Sequence, residues 1–137
     1  MPTVDYPISF PYRTIPSVGY QPAVEVELKS DGFSARAVAI VDSGSNFSVF
    51  SGRIAEILGI ANLTDGLRQR VVTYGGPAEF YLFDLDIRVI GYGDPFRGQI
   101  GFSEGHTPRN ILGRIVFFSR FQVGFRESQQ RIYLRHE

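Results

Sequence analysis

The chain has 137 residues, with 14 Lys plus Arg against 14 Asp plus Glu and a formal net charge of zero. That length describes one domain able to bury a core, and the balanced charge leaves no electrostatic footprint for nucleic acid or an anionic membrane. With no cysteine, a disulfide framework, a thiol nucleophile and a thiolate metal site are excluded.

The two histidines, His106 and His136, lack metal-ligand spacing, so no metal or other cofactor is expected. The first residues, Met-Pro-Thr-Val-Asp-Tyr-Pro, lack the basic and apolar regions of a secretory leader. No apolar run approaches the ~20 residues of a membrane span. The expectation is a cytoplasmic protein.

In chain order, Pro2, Pro7, Pro11 and Pro16 rule out a helix at the start, so residues 1–22 read as a Pro-rich extended arm. Such an arm either packs along the domain or reaches a partner chain; residues 23–137 form the domain proper. In 23–29, Val24, Val26 and Leu28 alternate with Glu25, Glu27 and Lys29, the pattern of a strand with one wet face. Asp31-Gly32 is a hairpin turn signal. Residues 33–41 return as a second strand, apolar on both faces after Arg36, which belongs inside the sheet. A short strand over 46–50 follows. Ser51 then caps a short helix over 52–58, with Ile54, Ile57 and Leu58 on one face and Gly59 ending it.

Residues 68–74 and 79–90 read as a long hairpin with Gly75-Gly76-Pro77 at its tip. Residues 91–95 read as a loop, 97–102 as a strand, 103–109 as a polar loop and 110–113 as a short apolar strand. Ile115, Phe118 and Ser119 suggest a short helix over 114–121. Residues 121–125 and 131–135 close the chain as a strand pair. With 12 Phe, 7 Tyr, 15 Gly and 8 Pro, the composition agrees with a mostly β fold.

The chemistry concentrates in two stretches. The first is Ile40-Val41-Asp42-Ser43-Gly44-Ser45, an apolar strand that ends on a carboxylate, a hydroxyl and a glycine. Carboxylates next to a buried strand are rare unless partnered, so Asp42 is the leading candidate for chemistry. The second is Ile111-Leu112-Gly113-Arg114. With Tyr74-Gly75-Gly76-Pro77 between them, the order resembles the retropepsins, the single-domain retroviral-type aspartic proteases, and most closely their cellular, often bacterial, members. The resemblance covers residues 23–134. It implies an acid-protease closed β-barrel with one or two short helices, and an aspartic endopeptidase activity on extended peptide substrates. One departure concerns Arg114. Its counterpart commonly pairs with an acid four residues after the catalytic Asp, and here that position is Asn46.

The resemblance makes Asp42 the catalytic residue. Aspartic protease chemistry takes two carboxylates sharing one proton, one acting as general base on water and the other as general acid. A single Asp-Ser-Gly supplies one, so the second is expected from an identical subunit across a two-fold axis. The partners implied are therefore a second copy of the chain and a peptide. In the family, both chain ends interleave at the dimer interface. Around Asp42, the Gly44 N–H is expected to donate to the carboxylate. Ser43 would hold the two loops together across the dimer, and Ser45 would support the carboxylate or contact substrate. Tyr74, Gly75 and Gly76 would form a mobile flap over the peptide. Ile111, Leu112, Gly113 and Arg114 would be the structural second motif.

Plainer readings stand beside these. Asp42 alone fits an Asx turn, Gly75-Gly76 an ordinary hairpin turn, and Tyr74 a cross-strand packing residue. Asp84 and Asp86 read as a solvated strand face, and His106 as a solvated loop residue. At the level of function, the alternatives are a catalytically silent retropepsin-fold module for dimerisation or peptide binding, and an unrelated β-barrel that binds a small ligand.

Overall fold

The computed structural model describes residues 5–73, 75–104 and 109–137. Among these the strands are β1 (Ile8–Pro11), β2 (Arg13–Ile15), β3 (Gly19–Gln21), β4 (Ala23–Ser30), β5 (Phe33–Val41), β6 (Val49–Ser51), β7 (Leu67–Thr73), β8 (Gly76–Val89), β9 (Tyr92–Ser103), β10 (Ile111–Leu112), β11 (Phe121–Arg126) and β12 (Arg131–His136). The one regular α-helix among them is α1 (Gly52–Ile57). The chain is mostly β, as its composition implies.

β4 and β5 form the expected hairpin, with Asp31 and Gly32 both at positive φ (45° and 84°), the geometry of a two-residue turn that matches strand twist. The largest sheet runs β4-β5-β10-β6-β9-β8-β7 and also joins β4 to β8. It therefore returns on itself, with β7 attached outside the ring along the first half of β8. β5 lies inside, between β4 and β10. Val26, Leu28, Phe50, Leu85, Ile100, Phe102 and Leu112 from this ring point into one core. Glu25 and Glu27 hold the other face of β4, Glu27 paired with Arg88 at 3.3 Å.

β1, β12 and β11 form a second antiparallel sheet, in that order. Its Phe121, Ile132 and Leu134 close one side of the core. Tyr12 is buried, and its hydroxyl donates to Glu127 Oε1 at 3.0 Å. Residues 8–11 and 131–134 thus pair with each other inside one chain, and both edges of β12 are filled.

Four local expectations change. Residues 114–118 form a turn and not a helix, because Ile115 is extended (φ −73°, ψ 127°) and Val116 sits at φ 90°. The Ile115 carbonyl accepts instead from the buried Ser48 hydroxyl at 2.9 Å. Strand β9 starts at Tyr92, with Gly93, Asp94 and Pro95 bulged opposite Arg88; a bulge is a place where a strand tolerates proline. Gly76 and Pro77 belong to β8, where they pair with Thr73 and Val72 and are not part of the turn. Ile57 is 52% exposed, and Ala55 takes the buried place beside Leu58. Among the described residues no helix is long and apolar enough to cross a membrane.

Candidate active site

β5 delivers Asp42 to the mouth of the ring. Its backbone N–H donates to the Leu112 carbonyl at 3.0 Å, and its carbonyl accepts from Ser45 N at 3.2 Å. The side chain turns back, and Oδ1 accepts the Gly44 N–H at 2.8 Å. A Cβ on Gly44 would stand 3.1 Å from that oxygen; a bare glycine leaves the carboxylate room. Asp42, Ser43 and Gly44 are all exposed in the single chain. The strand beneath is buried, as expected, but the carboxylate itself meets solvent and is not a core group.

The Ser45 hydroxyl donates to the Phe47 carbonyl at 2.7 Å and so braces the loop, while the residue itself lines the cleft. Ser43 stands exposed at the loop tip.

The second motif clamps this loop from below. β10 threads between β5 and β6, parallel to the first and antiparallel to the second. Leu112 is fully buried. Gly113 passes so close under the loop that a Cβ would lie 2.3 Å from the Phe47 carbonyl oxygen and 2.6 Å from that of Ser45. That approach lets Arg114 N donate to Ser45 O and Ile115 N to Asn46 O, each at 2.8 Å. The Arg114 guanidinium reaches Asn46 Oδ1 at 2.7 Å.

Two residues of this clamp have no place in the sequence reading. Ser48, 1% exposed, accepts from Gly113 N at 2.9 Å and donates to Ile115 O at 2.9 Å. Asn110 accepts from Ser51 N and donates to the Val38 carbonyl, tying β6 to β5. A lone Ser inside an apolar strand and an Asn just before Ile111 were the available signals.

Above the loop lies a cleft of about 900 Å³. Asp42, Gly44 and Ser45 form its floor, and Phe47, Val49, Phe80 and Ile111 its apolar walls. Val71, Val72, Thr73 and Ala78 of the β7–β8 hairpin overhang it. Val72 is 88% exposed, and the hairpin turn is pinned by Thr73 Oγ1 donating to the Gly76 carbonyl at 2.7 Å. Gly76 takes φ 106°, a value glycine alone adopts freely. Tyr74 and His106 lie outside the described residues. Among the other candidates, Asp42, Gly44, Ser45 and Ile111 share the cleft, whereas Ser43, Gly75, Gly76, Leu112, Gly113 and Arg114 do not line it.

A second carboxylate, Glu79, also lines the cleft. It is occupied: Arg70 Nε and Arg68 Nη2 reach Oε2 at 2.9 and 2.8 Å, and the Tyr81 hydroxyl donates to Oε1 at 3.0 Å. The hydrogen bond from Arg70 holds this carboxyl below its ordinary range. The same carboxylate, by accepting from Tyr81, pushes that phenol up. Asp84 is exposed and Asp86 pairs with Arg97 at 3.5 Å, both away from the cleft. No protein-family model matches the chain, and no curated protein matches its sequence.

Proposed function

We propose that this chain is an aspartic endopeptidase with a retropepsin-like fold, active as a homodimer in which Asp42 of each subunit supplies half of one catalytic dyad. The observation that carries the reading is the state of the two carboxylates in the cleft. Asp42 is exposed, aimed by one backbone N–H, and has an oxygen to spare. Glu79 is neutralised by two arginines and held ionised, which makes it a poor proton donor. A second acid with the same freedom as Asp42 exists in a second copy of Asp42.

Two ionised carboxylates ~3 Å apart repel by about 5 kcal/mol at an effective dielectric of 20. The pair therefore retains one proton. The ionised member takes a proton from water as the oxygen attacks the scissile carbonyl carbon. The protonated member gives its proton to the carbonyl oxygen. Return of a proton to the amide nitrogen then lets the C–N bond break, yielding a carboxylic acid and an amine. The apolar cleft walls shelter these transfers from bulk water, and the exposed Val72 near the hairpin tip suits closure over an extended peptide.

The test is cleavage of a peptide library by the parent and by Asp42→Asn. The parent should cut, and the variant should lose about 10²–10⁴-fold or more in turnover while keeping its fold and its sedimentation as a dimer. A variant that cleaves like the parent refutes the mechanism. A parent that binds peptides without cutting them points instead to the silent binding module.

A further inference from the structure

Arg114 is exposed, and among the described residues no carboxylate forms an ion pair with it. Its partner is the Asn46 side chain, through Nη2 to Oδ1 at 2.7 Å. A guanidinium has donors only, so it fixes which way the amide faces: Oδ1 turns to Arg114 and the Nδ2 amino group turns away. Asn46 is exposed and lines the cleft beside Asp42, Gly44 and Ser45. The cleft edge at this point thus offers two amide N–H donors, backed by the Arg114 guanidinium, with which no carboxylate among the described residues forms an ion pair. An aspartate at position 46 would reverse both properties. It would present acceptors and neutralise Arg114.

Donors grouped around a net positive charge suit a carboxylate. The other anion on the cleft wall, Glu79, does not oppose this, because Arg68 and Arg70 neutralise it.

We infer that Asn46, oriented and backed from outside the cleft by Arg114, forms an anion-recognising corner that selects peptides with an Asp or Glu side chain flanking the scissile bond. The inference rests on the aspartic endopeptidase reading and adds the substrate class. The two-fold symmetry of the dimer gives each half of the cleft one such corner, so the preference falls on both sides of the cut bond. The bond itself is flanked by the apolar walls of Phe47, Val49, Phe80 and Ile111. The substrates are peptides with an apolar centre and acidic shoulders.

The experiment starts from a peptide that the parent cuts in the library above. Matched peptides then carry Glu or Gln at each position flanking the cut, and kcat/KM is measured for each pair. The parent should favour Glu by about five- to tenfold at the best position, as fits a charge-assisted hydrogen bond at a solvent-exposed site. Raising the ionic strength should shrink that ratio. Asn46→Asp keeps the side-chain shape and should abolish or invert the ratio. Arg114→Lys keeps the charge but loses the planar fork, and should retain part of the ratio. The affinity of the Asp42→Asn dimer for the same pairs reads the corner without turnover. Equal kcat/KM for Glu and Gln at every position, or a ratio that survives Asn46→Asp, overturns the inference while leaving the endopeptidase reading intact. Failure of the parent to cut any peptide fails the endopeptidase reading. In that case a Glu-to-Gln affinity ratio near one overturns the corner as well.

Discussion

Gly113→Ala is the sharpest test of how the site is built. The new methyl would sit 2.3 Å from the Phe47 carbonyl oxygen and 2.6 Å from that of Ser45. Both are backbone atoms of the loop that carries Asp42, so no side-chain rotation relieves them. Carbon–oxygen contacts relax only beyond ~3.3 Å, and the loop must retreat by roughly 1 Å. Overpacking of this kind costs about 1–3 kcal/mol. The retreat also stretches three hydrogen bonds: Gly113 N to Ser48, Arg114 N to Ser45 and Ile115 N to Asn46. At about 1 kcal/mol each when lost, the total is about 4–6 kcal/mol, a large part of the 5–15 kcal/mol that holds a typical domain. For a chain of this size that lowers Tm by about 12–18 °C. The assay is thermal unfolding without substrate, parent and variant at one protein concentration. Gly124→Ala is the control. Its methyl would meet the outer end of the Tyr6 side chain at 2.9 Å, a contact that side-chain rotation and not backbone movement relieves, so the cost should stay below about 1.5 kcal/mol. A Gly113→Ala protein melting within ~2 °C of the parent would refute the clamp.

Ser48→Ala removes the hydroxyl that bridges Gly113 N and Ile115 O. It leaves the buried Gly113 N–H and the part-buried Ile115 carbonyl without this partner and should cost about 2–3 kcal/mol in urea unfolding; a loss below ~0.5 kcal/mol would contradict that bridge. Glu79 is held below its ordinary range, first by the hydrogen bond from Arg70, so the folded protein binds its proton less readily than the unfolded chain. Its contribution to stability is complete above the ordinary carboxylate range and is lost as pH falls through the lowered folded-state value. A carboxyl NMR titration should place Glu79 below a free Glu, and Arg70→Ala should move it up; an unmoved midpoint would contradict the pairing.

How far the residues themselves carried the fold is clearest at β4 and β5. There, alternation of Val24, Val26 and Leu28 with charge, a double-faced apolar partner and Asp31-Gly32 all point to one hairpin. The site was legible where chemistry is local: Asp42 with Gly44, and Ile111-Leu112-Gly113 as a strand ending in glycine. It was not legible where a residue gains its role from a distant one. Ser48 is unremarkable until β10 threads beside it, and Ser45 bonds its neighbour Phe47 because β10 holds the loop in that shape. The same holds at the chain ends. The prolines rule out a helix, but only the register of Ile8–Pro11 against β12 reveals a strand. Glu79 was hidden inside a strand pattern, because its two arginines, Arg68 and Arg70, lie on the facing strand at cross-strand and diagonal positions.

The most direct test of the account is the separation of the two Asp42 carboxylates in a crystal structure of the dimer bound to an uncleavable peptide. Oxygens within ~3 Å of one another across a two-fold axis, close enough to share a proton, are the expected result. Carboxylates more than ~6 Å apart, beyond direct hydrogen-bond reach, or a monomer with Asp42 facing solvent alone, would contradict it.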